Sequence, residues 1–394
     1  MLEYIKHCQS VMRLLLLLLL SLAPLVLDSC SNPNSDPNTP APEGMVFIPS
    51  GPFMRGGDAG EMGGDSHSHQ SAYPIHEVQV DAFWMDETEV TNRQFAEFVE
   101  ATGYVTFSER PLPEDRVKEL QDAAEINLKR LGAMAERATG REKEEILDSM
   151  ERIEEASNFG HLAGSIVFAV PKGELYNSKD ITQWWRLVPG ATWRTPGGKG
   201  SSLEGLEDHP VVNLIHEDAS AYAQWAGKRL PTEAEWEKAA RGGLKHQPFT
   251  WGGEMFPEGE SVWMANIWQG EWPFKNTEKD GYITTSPVKS FPPNAFGLYD
   301  MSGNVWEMVF DLYHPQAYSL SSATAKNSTG PKPEEAIPPN APVIYRVTKG
   351  GSFLCSDEWC KGYQPGSRQQ MDNESPSNHT GFRCVMDIAP RATQ

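Results

Sequence analysis

The chain has 394 residues, and its 54 Asp and Glu against 34 Lys and Arg give a formal net charge of −20. A surface that acidic repels nucleic acid and anionic lipid alike, so neither is expected as its partner. With 12 Trp and 34 Gly, the composition points away from long periodic helices and toward a loop-rich fold with an aromatic core.

The amino terminus sets the compartment. Lys6 and Arg13 precede an apolar run, Leu14 to Leu20 and Leu22 to Leu27, so residues 1–29 read as a secretory leader and not as a fold element. Leu27 stands three positions before Cys30, a pattern that resembles a bacterial lipoprotein signal in which the cysteine is acylated and becomes the first residue. Several acyl chains, at about 0.8 kcal/mol per buried methylene, anchor a protein stably to a membrane. Residues 30–43 are Ser, Asn, Asp, Pro and Thr with almost nothing apolar, and read as a flexible tether. The expected location is therefore the cell envelope outside the cytoplasm, on the periplasmic side or the cell surface.

The remainder, residues 44–388, is long enough for one large domain or two ordinary ones. Met45 to Pro49 is expected as a strand and Glu77 to Met85 as a second, single strand. His67, His69 and His76 lie between or beside them; with no cysteine or paired carboxylate at ligand-like spacing, they read as solvated loop histidines. Thr91 caps a helix that places Phe95, Phe98 and Val99 on one face. Residues 113–158 differ in kind. They are charged and helical, with one stripe through Val117, Leu120, Ala124, Leu128 and Leu131 and another through Ile146, Met150 and Ile153, parted by Gly140, which predicts an inserted helical hairpin. Helices are also expected from Glu217 to Ala226 and after Thr232, where Glu235 completes a capping box.

Of five cysteines, Cys8 lies in the leader and Cys30 at the lipid site, which leaves Cys355, Cys360 and Cys384. An odd thiol count in an oxidising compartment points to a reactive or metal-bound sulfur. Cys355 and Cys360 are five positions apart, roughly 16 Å if extended at about 3.3 Å per residue. A disulfide needs α-carbons within about 7 Å, and a linear metal dithiolate a similar approach, so this segment must fold back on itself. Gly350-Gly351 supplies the backbone freedom and Ser352 a small hydroxyl. Elsewhere the stretches Ala265 to Gly270, Asp280 to Tyr282 and Gly297 to Glu307, the last with Asp300 and Glu307 around a glycine, intersperse oxygen donors with flexible backbone. Spacing alone leaves a calcium site and ordinary turn chemistry both open.

Taken together, Glu89 to Asn92, Lys228 to Trp236, Gly297 to Glu307, Gly350 to Cys360 and Gly381 to Cys384 resemble, in order, the motifs of the formylglycine-generating enzymes, also called sulfatase-modifying factors. The resemblance implies an α+β fold: a single compact domain with little regular secondary structure, a C-type-lectin-like element and the inserted hairpin. It implies copper(I) on Cys355 and Cys360, which suits soft thiolates and a linear preference, and molecular oxygen as co-substrate beside Trp306 and Ser352. The implied reaction abstracts hydrogen from a substrate cysteine's β-carbon and hydrolyses the thioaldehyde to Cα-formylglycine, in an unfolded sulfatase peptide containing Cys-X-Pro-X-Arg. It also implies calcium at two places in those oxygen-rich stretches: Asn266, Ile267, Asp280 and Tyr282, with backbone oxygens from Ile267 and Tyr282, and Asp300, Gly303, Val305 and Glu307. A monomer is expected.

Two departures stand out. After Cys360 the chain reads Lys361-Gly362-Tyr363-Gln364-Pro365-Gly366-Ser367-Arg368, where the family carries more arginine and tyrosine. Cys384 faces Ala223 where animal members have a cysteine, so it has no evident disulfide partner. Two other functions are compatible with the sequence: a non-catalytic envelope lipoprotein using the fold as a binding or assembly module, as in gliding motility, and an oxidase acting on a small thiol.

Overall fold

The computed structural model describes residues 41–57, 71–158, 163–171, 183–259, 261–320, 325–337, 343–357 and 359–388. The leader, Cys30, most of the tether, His67 and His69 lie outside these residues. No described helix is long and apolar enough to cross a membrane.

Strands β1 (Met45–Ile48), β2 (Gly51–Arg55), β3 (His76–Val80) and β4 (Phe83–Asp86) open the domain. The single strand expected from Glu77 to Met85 is thus two strands in different sheets, since β3 pairs with β2 and β4 with β1. The break falls at Asp81, whose N–H donates to Asn327 Oδ1 at 2.8 Å instead of to a neighbouring strand, and whose carboxylate pairs with Lys326 at 2.7 Å. His76 Nδ1 lies 2.8 Å from the Pro74 carbonyl oxygen.

Helix α1 (Asn92–Thr102) begins at the expected Thr91 cap: Gln94 N–H donates to Thr91 Oγ1 at 3.3 Å, and Thr91 N–H to Gln94 Oε1 at 2.9 Å. Gly103 ends it at φ +68°, where glycine carries no Cβ penalty. Phe95 and Phe98 pack against Trp193 and Tyr222. Helices α2 (Glu114–Ala135) and α3 (Gly140–Asn158) form the inserted hairpin, with its own small cluster of Leu131, Ala135, Ala138, Ile146 and Met150. The chain returns to where it left, as Gly164 N–H donates to the Ser108 carbonyl at 3.4 Å.

Strands β5 (Ser165–Phe168) and β6 (Trp185–Val188) pair as a hairpin. Helix α4 (His216–Trp225) is capped by Asp218, which accepts the Ile215 N–H at 3.0 Å. Helix α5 (Glu233–Ala240) has the expected box, with Glu235 N–H donating to Thr232 Oγ1 at 3.2 Å and Thr232 N–H to Glu235 Oε2 at 2.8 Å. After the short β7 (Gly270–Glu271) and β8 (Lys275–Asn276) come β9 (Trp306–Leu312), α6 (Pro333–Ala336), β10 (Tyr345–Lys349), β11 (Gln369–Asp372), β12 (Thr380–Gly381) and β13 (Val385–Asp387). One sheet has the order β1-β4-β13, joining the domain's first strand to its last through β4; the other is β11-β10-β9-β12.

Every residue of α5 is buried, its charged ones included. Glu233 binds Arg55 at 2.6 Å and Arg368 at 2.8 Å, while Glu237 binds Arg241 at 2.7 Å and Lys349 at 3.2 Å. Burial by itself raises a carboxyl's pKa, but Lys349, Arg241 and Arg55 outweigh it and hold Glu237 down to about 2. Glu233 is likewise depressed by Arg368, Arg55 and Lys349.

Removing one partner from such a lattice strands the others in low dielectric, so Glu233→Ala is expected to cost about 3–5 kcal/mol in urea unfolding; a cost below about 1 kcal/mol would show that the cations find other partners. Replacing residues 113–158 with a short Gly-Ser linker is expected to preserve cooperative unfolding and the near-ultraviolet circular dichroism of the remaining domain. Loss of either signal would show that the hairpin is integral to the core.

Candidate active site at the paired thiols

The thiol loop starts where β10 ends. Gly350 and Gly351 take φ of +91° and +73°, and a Cβ on Gly351 would sit 2.5 Å from the Tyr363 nitrogen. Side chains are therefore excluded there both by conformation and by contact. The loop then turns back: Cys355 N–H donates to the Ser352 carbonyl at 2.9 Å and Cys360 N–H to the Ser356 carbonyl at 3.1 Å. Two neighbouring loops brace it, with Gly303 N–H donating to the Gly350 carbonyl at 2.8 Å, Phe353 N–H to the Asn304 carbonyl at 2.9 Å and Trp268 N–H to the Cys355 carbonyl at 2.9 Å. Tyr363 ties the far side, donating its hydroxyl to Asp357 and accepting Ser302 Oγ–H at its carbonyl at 2.8 Å.

Cys355 and Cys360 are both free thiols; Cys355 is buried and Cys360 half-buried. Cys360 packs against the cluster that holds Cys355, so the fold-back expected from their spacing brings the two side chains together. Burial, and after it Cys360, pushes the Cys355 thiol well up, opposed by the backbone at Ser352 and Gly362. A Cβ on Gly362 would lie 2.4 Å from the Trp306 ring and 3.0 Å from Cys355 Sγ. Glycine there lets the chain pass between the indole and the sulfur.

Trp306 shares an apolar cluster with Cys355, Tyr363, Phe249, Trp251, Met255 and Trp263. Across the loop, Trp268, Trp272 and Phe168 pack on Phe353 and Leu354, and Trp359 stacks on Trp272 with centroids 5.6 Å apart while staying 40% exposed. The four residues expected at the reaction centre, Cys355, Cys360, Ser352 and Trp306, thus lie together. His379 joins them without having been singled out by sequence: its Nδ1 lies 3.3 Å from Ser352 Oγ and its carbonyl accepts the Trp306 N–H at 2.9 Å. A histidine two residues before Gly381 carries no spacing signal of its own. Cys384 lies instead in the cluster with Ala223 and Tyr222, a buried free thiol.

Among the described residues, no group of three or more His, Cys, Asp or Glu is arranged to hold a metal ion. Two thiolates suffice for copper(I), and a pair of soft sulfurs in one cluster is the donor type it takes. The first oxygen-rich set is only partly open to a cation, because the Ile267 carbonyl already accepts Gln269 Nε2–H. Asn266 Oδ1 is buried without a hydrogen-bond partner, and Asp280 reaches the same turn, accepting the N–H groups of Ile267 and Tyr282 at 3.1 Å each. The second set is more committed. Glu307 accepts Trp236 Nε1–H and two Arg383 N–H bonds, all at 2.7 Å, leaving it one free lone pair. Asp300 accepts the Lys289 N–H at 2.8 Å, and burial, opposed by that bond, raises its pKa to about 6. Val305 is buried beside Trp306, and Gly303 packs so close to the Asn266 carbonyl that a Cβ would lie 2.1 Å from it.

A sulfatase-modifying factor enzyme 1-like domain matches residues 30–388. The chain is 37% identical over 345 residues to a formylglycine-generating enzyme of Streptomyces coelicolor, covering 87% of this chain and 89% of that one. It is 38% identical over 343 residues to a formylglycine-generating enzyme of Mycobacterium tuberculosis, covering 87% and 97% respectively. An inactive C-alpha-formylglycine-generating enzyme 2 of Mus musculus is 31% identical over 345 residues, covering 86% and 85%. With the paired thiols in one compact α+β domain, the chain belongs to the sulfatase-modifying factor family of formylglycine-generating enzymes.

Proposed function

We propose that the protein is a copper- and oxygen-dependent oxidase that converts a cysteine of sulfatases to Cα-formylglycine. The observation that carries this reading is the pair of free thiols brought into one cluster, one buried and one half-buried. A structural disulfide would have left neither sulfur for a ligand. Cys355 and Cys360 would hold copper(I), which when bound supplies one-electron chemistry with dioxygen. The chain's own residues do the rest. Cys355 anchors from the buried side, and Cys360 keeps an open edge by which a substrate thiol approaches. Trp306 and the two aromatic walls keep water from the sulfurs. The substrate is an unfolded peptide of the Cys-X-Pro-X-Arg type, reached by a monomer tethered to the cell envelope through acylated Cys30. Calcium at Asn266, Ile267, Asp280 and Tyr282 has a structural part, and Asp300, Gly303, Val305 and Glu307 offer a weaker second position.

Copper-loaded protein, incubated in air with such a peptide, is expected to yield an aldehyde that an aminooxy probe captures. Cys355→Ser and Cys360→Ser should each abolish it, and undiminished aldehyde from both variants would remove the mechanism. Calcium at a hundredfold excess over its dissociation constant should stabilise the fold by about 2.7 kcal/mol, seen as a higher thermal midpoint that a chelator reverses. Asp280→Ala should lose that response; a midpoint insensitive to calcium in the unaltered protein would leave these oxygens to turn chemistry.

A further inference from the structure

Cys355 is held in place by its surroundings: it is buried, its N–H and its carbonyl are both hydrogen-bonded, and Gly362 passes close to its sulfur. Cys360 is half-buried, and its position depends on the spacer that carries the chain away from Cys355 and back. Ser356 shapes that spacer, accepting Cys360 N–H at its carbonyl and Trp359 N–H at Oγ, each at 3.1 Å. Both bonds are local, so they bend the spacer without tying it to the domain. Asp357 supplies a tie. It is exposed, yet its carboxylate accepts the hydroxyl of Tyr363, which is buried. Tyr363 is itself a fixed post: its carbonyl accepts Ser302 Oγ–H at 2.8 Å, its nitrogen packs against Gly351, and its ring stacks on Phe249 with centroids 6.2 Å apart. A carboxylate with water at hand needs no protein donor, so the consequence of this bond is where it places the spacer.

We propose that the Asp357–Tyr363 hydrogen bond holds the spacer in the conformation of an open dithiol, so that Cys360 stays where copper(I) is received and does not close onto Cys355 as a disulfide. A linear dithiolate keeps the metal between its sulfurs, whereas a disulfide draws them to about 2.05 Å. The two states ask for different spacers, and the bond is present in the state in which both thiols are free. A contact made in one of two states shifts the balance toward it by its differential free energy. Asp357 and Tyr363 are positioning residues that act through the cysteines. The copper half of the proposal rests on the oxidase reading, and the dithiol half does not.

Two equilibria of the full-length protein test this: copper(I) affinity by chelator competition, and, without metal, the thiol–disulfide balance of Cys355 and Cys360 in glutathione buffers, read by their alkylation state. In the second, glutathione disulfide takes up the two electrons and two protons that the pair gives as its S–S bond forms. Tyr363→Phe keeps the ring and loses the hydroxyl; Asp357→Ala changes an exposed side chain and so keeps the core. Each is expected to weaken copper(I) binding about 3- to 10-fold, the worth of one hydrogen bond, and to move the glutathione balance toward disulfide by a similar factor. The double variant should add little to either single one. Asp357→Asn, whose amide oxygen still accepts the phenol, should return both values to within about twofold. A merely structural role would lower the thermal midpoint and leave both equilibria unmoved; that result, or fully additive losses in the double variant, overturns the proposal. Folded, unaltered protein that does not bind copper(I) overturns the oxidase reading and the copper half with it, while the glutathione balance still decides the dithiol half.

Discussion

The carboxylate of Glu233 holds the molecule's working loop closed. It binds Arg368 at 2.8 Å and lies 3.8 Å from the ammonium of Lys349, so the residues just before Gly350 and just after Ser367 meet on one buried anion. Arg55 from β2 adds a third cation, and Tyr318 donates its hydroxyl to the same carboxylate at 2.9 Å. A buried charge survives only when paired and hydrogen-bonded, so these groups must assemble together or not at all. The thiol loop is therefore defined by long-range electrostatics at its ends and by glycine sterics within it. Neither constraint consumes a sulfur in a bond, although Gly362 must be glycine to pass Cys355 Sγ.

The surroundings of those sulfurs are apolar by construction. Indole and phenyl rings line both sides of the loop, and the buried thiol keeps its proton well above the usual range. Such a site disfavours a free thiolate and favours one neutralised by a soft cation, because ligation removes the charge that burial penalises. Cys360 and Trp359 form the more exposed edge of this otherwise enclosed loop.

Local grammar was legible in the sequence. Thr91 and Thr232 cap helices as their neighbours demand, residues 113–158 form the hairpin their stripes describe, and Gly350-Gly351 makes the turn that two converging cysteines require. What the sequence hid was non-local. Asp81 breaks a strand only because Asn327, far along the chain, takes its N–H. Glu233 and Glu237 look like exposed positions of a charged helix until Arg55, Arg241, Lys349 and Arg368 converge on them. His379 becomes meaningful only once Ser352 is beside it, and no periodicity or motif encodes that approach.

The oxygen-rich loops occupy the same hydrogen-bonded tier as the thiols. Asn304 N–H donates to the Asn266 carbonyl at 2.8 Å, joining the two sets, and Asn304 in turn accepts the Phe353 N–H at 2.9 Å. Next to Ile267 of the first set, Trp268 N–H donates directly to the Cys355 carbonyl at 2.9 Å. Ordering either oxygen-rich turn thus orders the backbone that carries the first thiol, through single hydrogen bonds between adjacent strands of loop. In a domain with so little regular secondary structure, this tier does for the reaction centre what a sheet does elsewhere: it fixes backbone positions by mutual pairing, while the side chains above it remain free to bind.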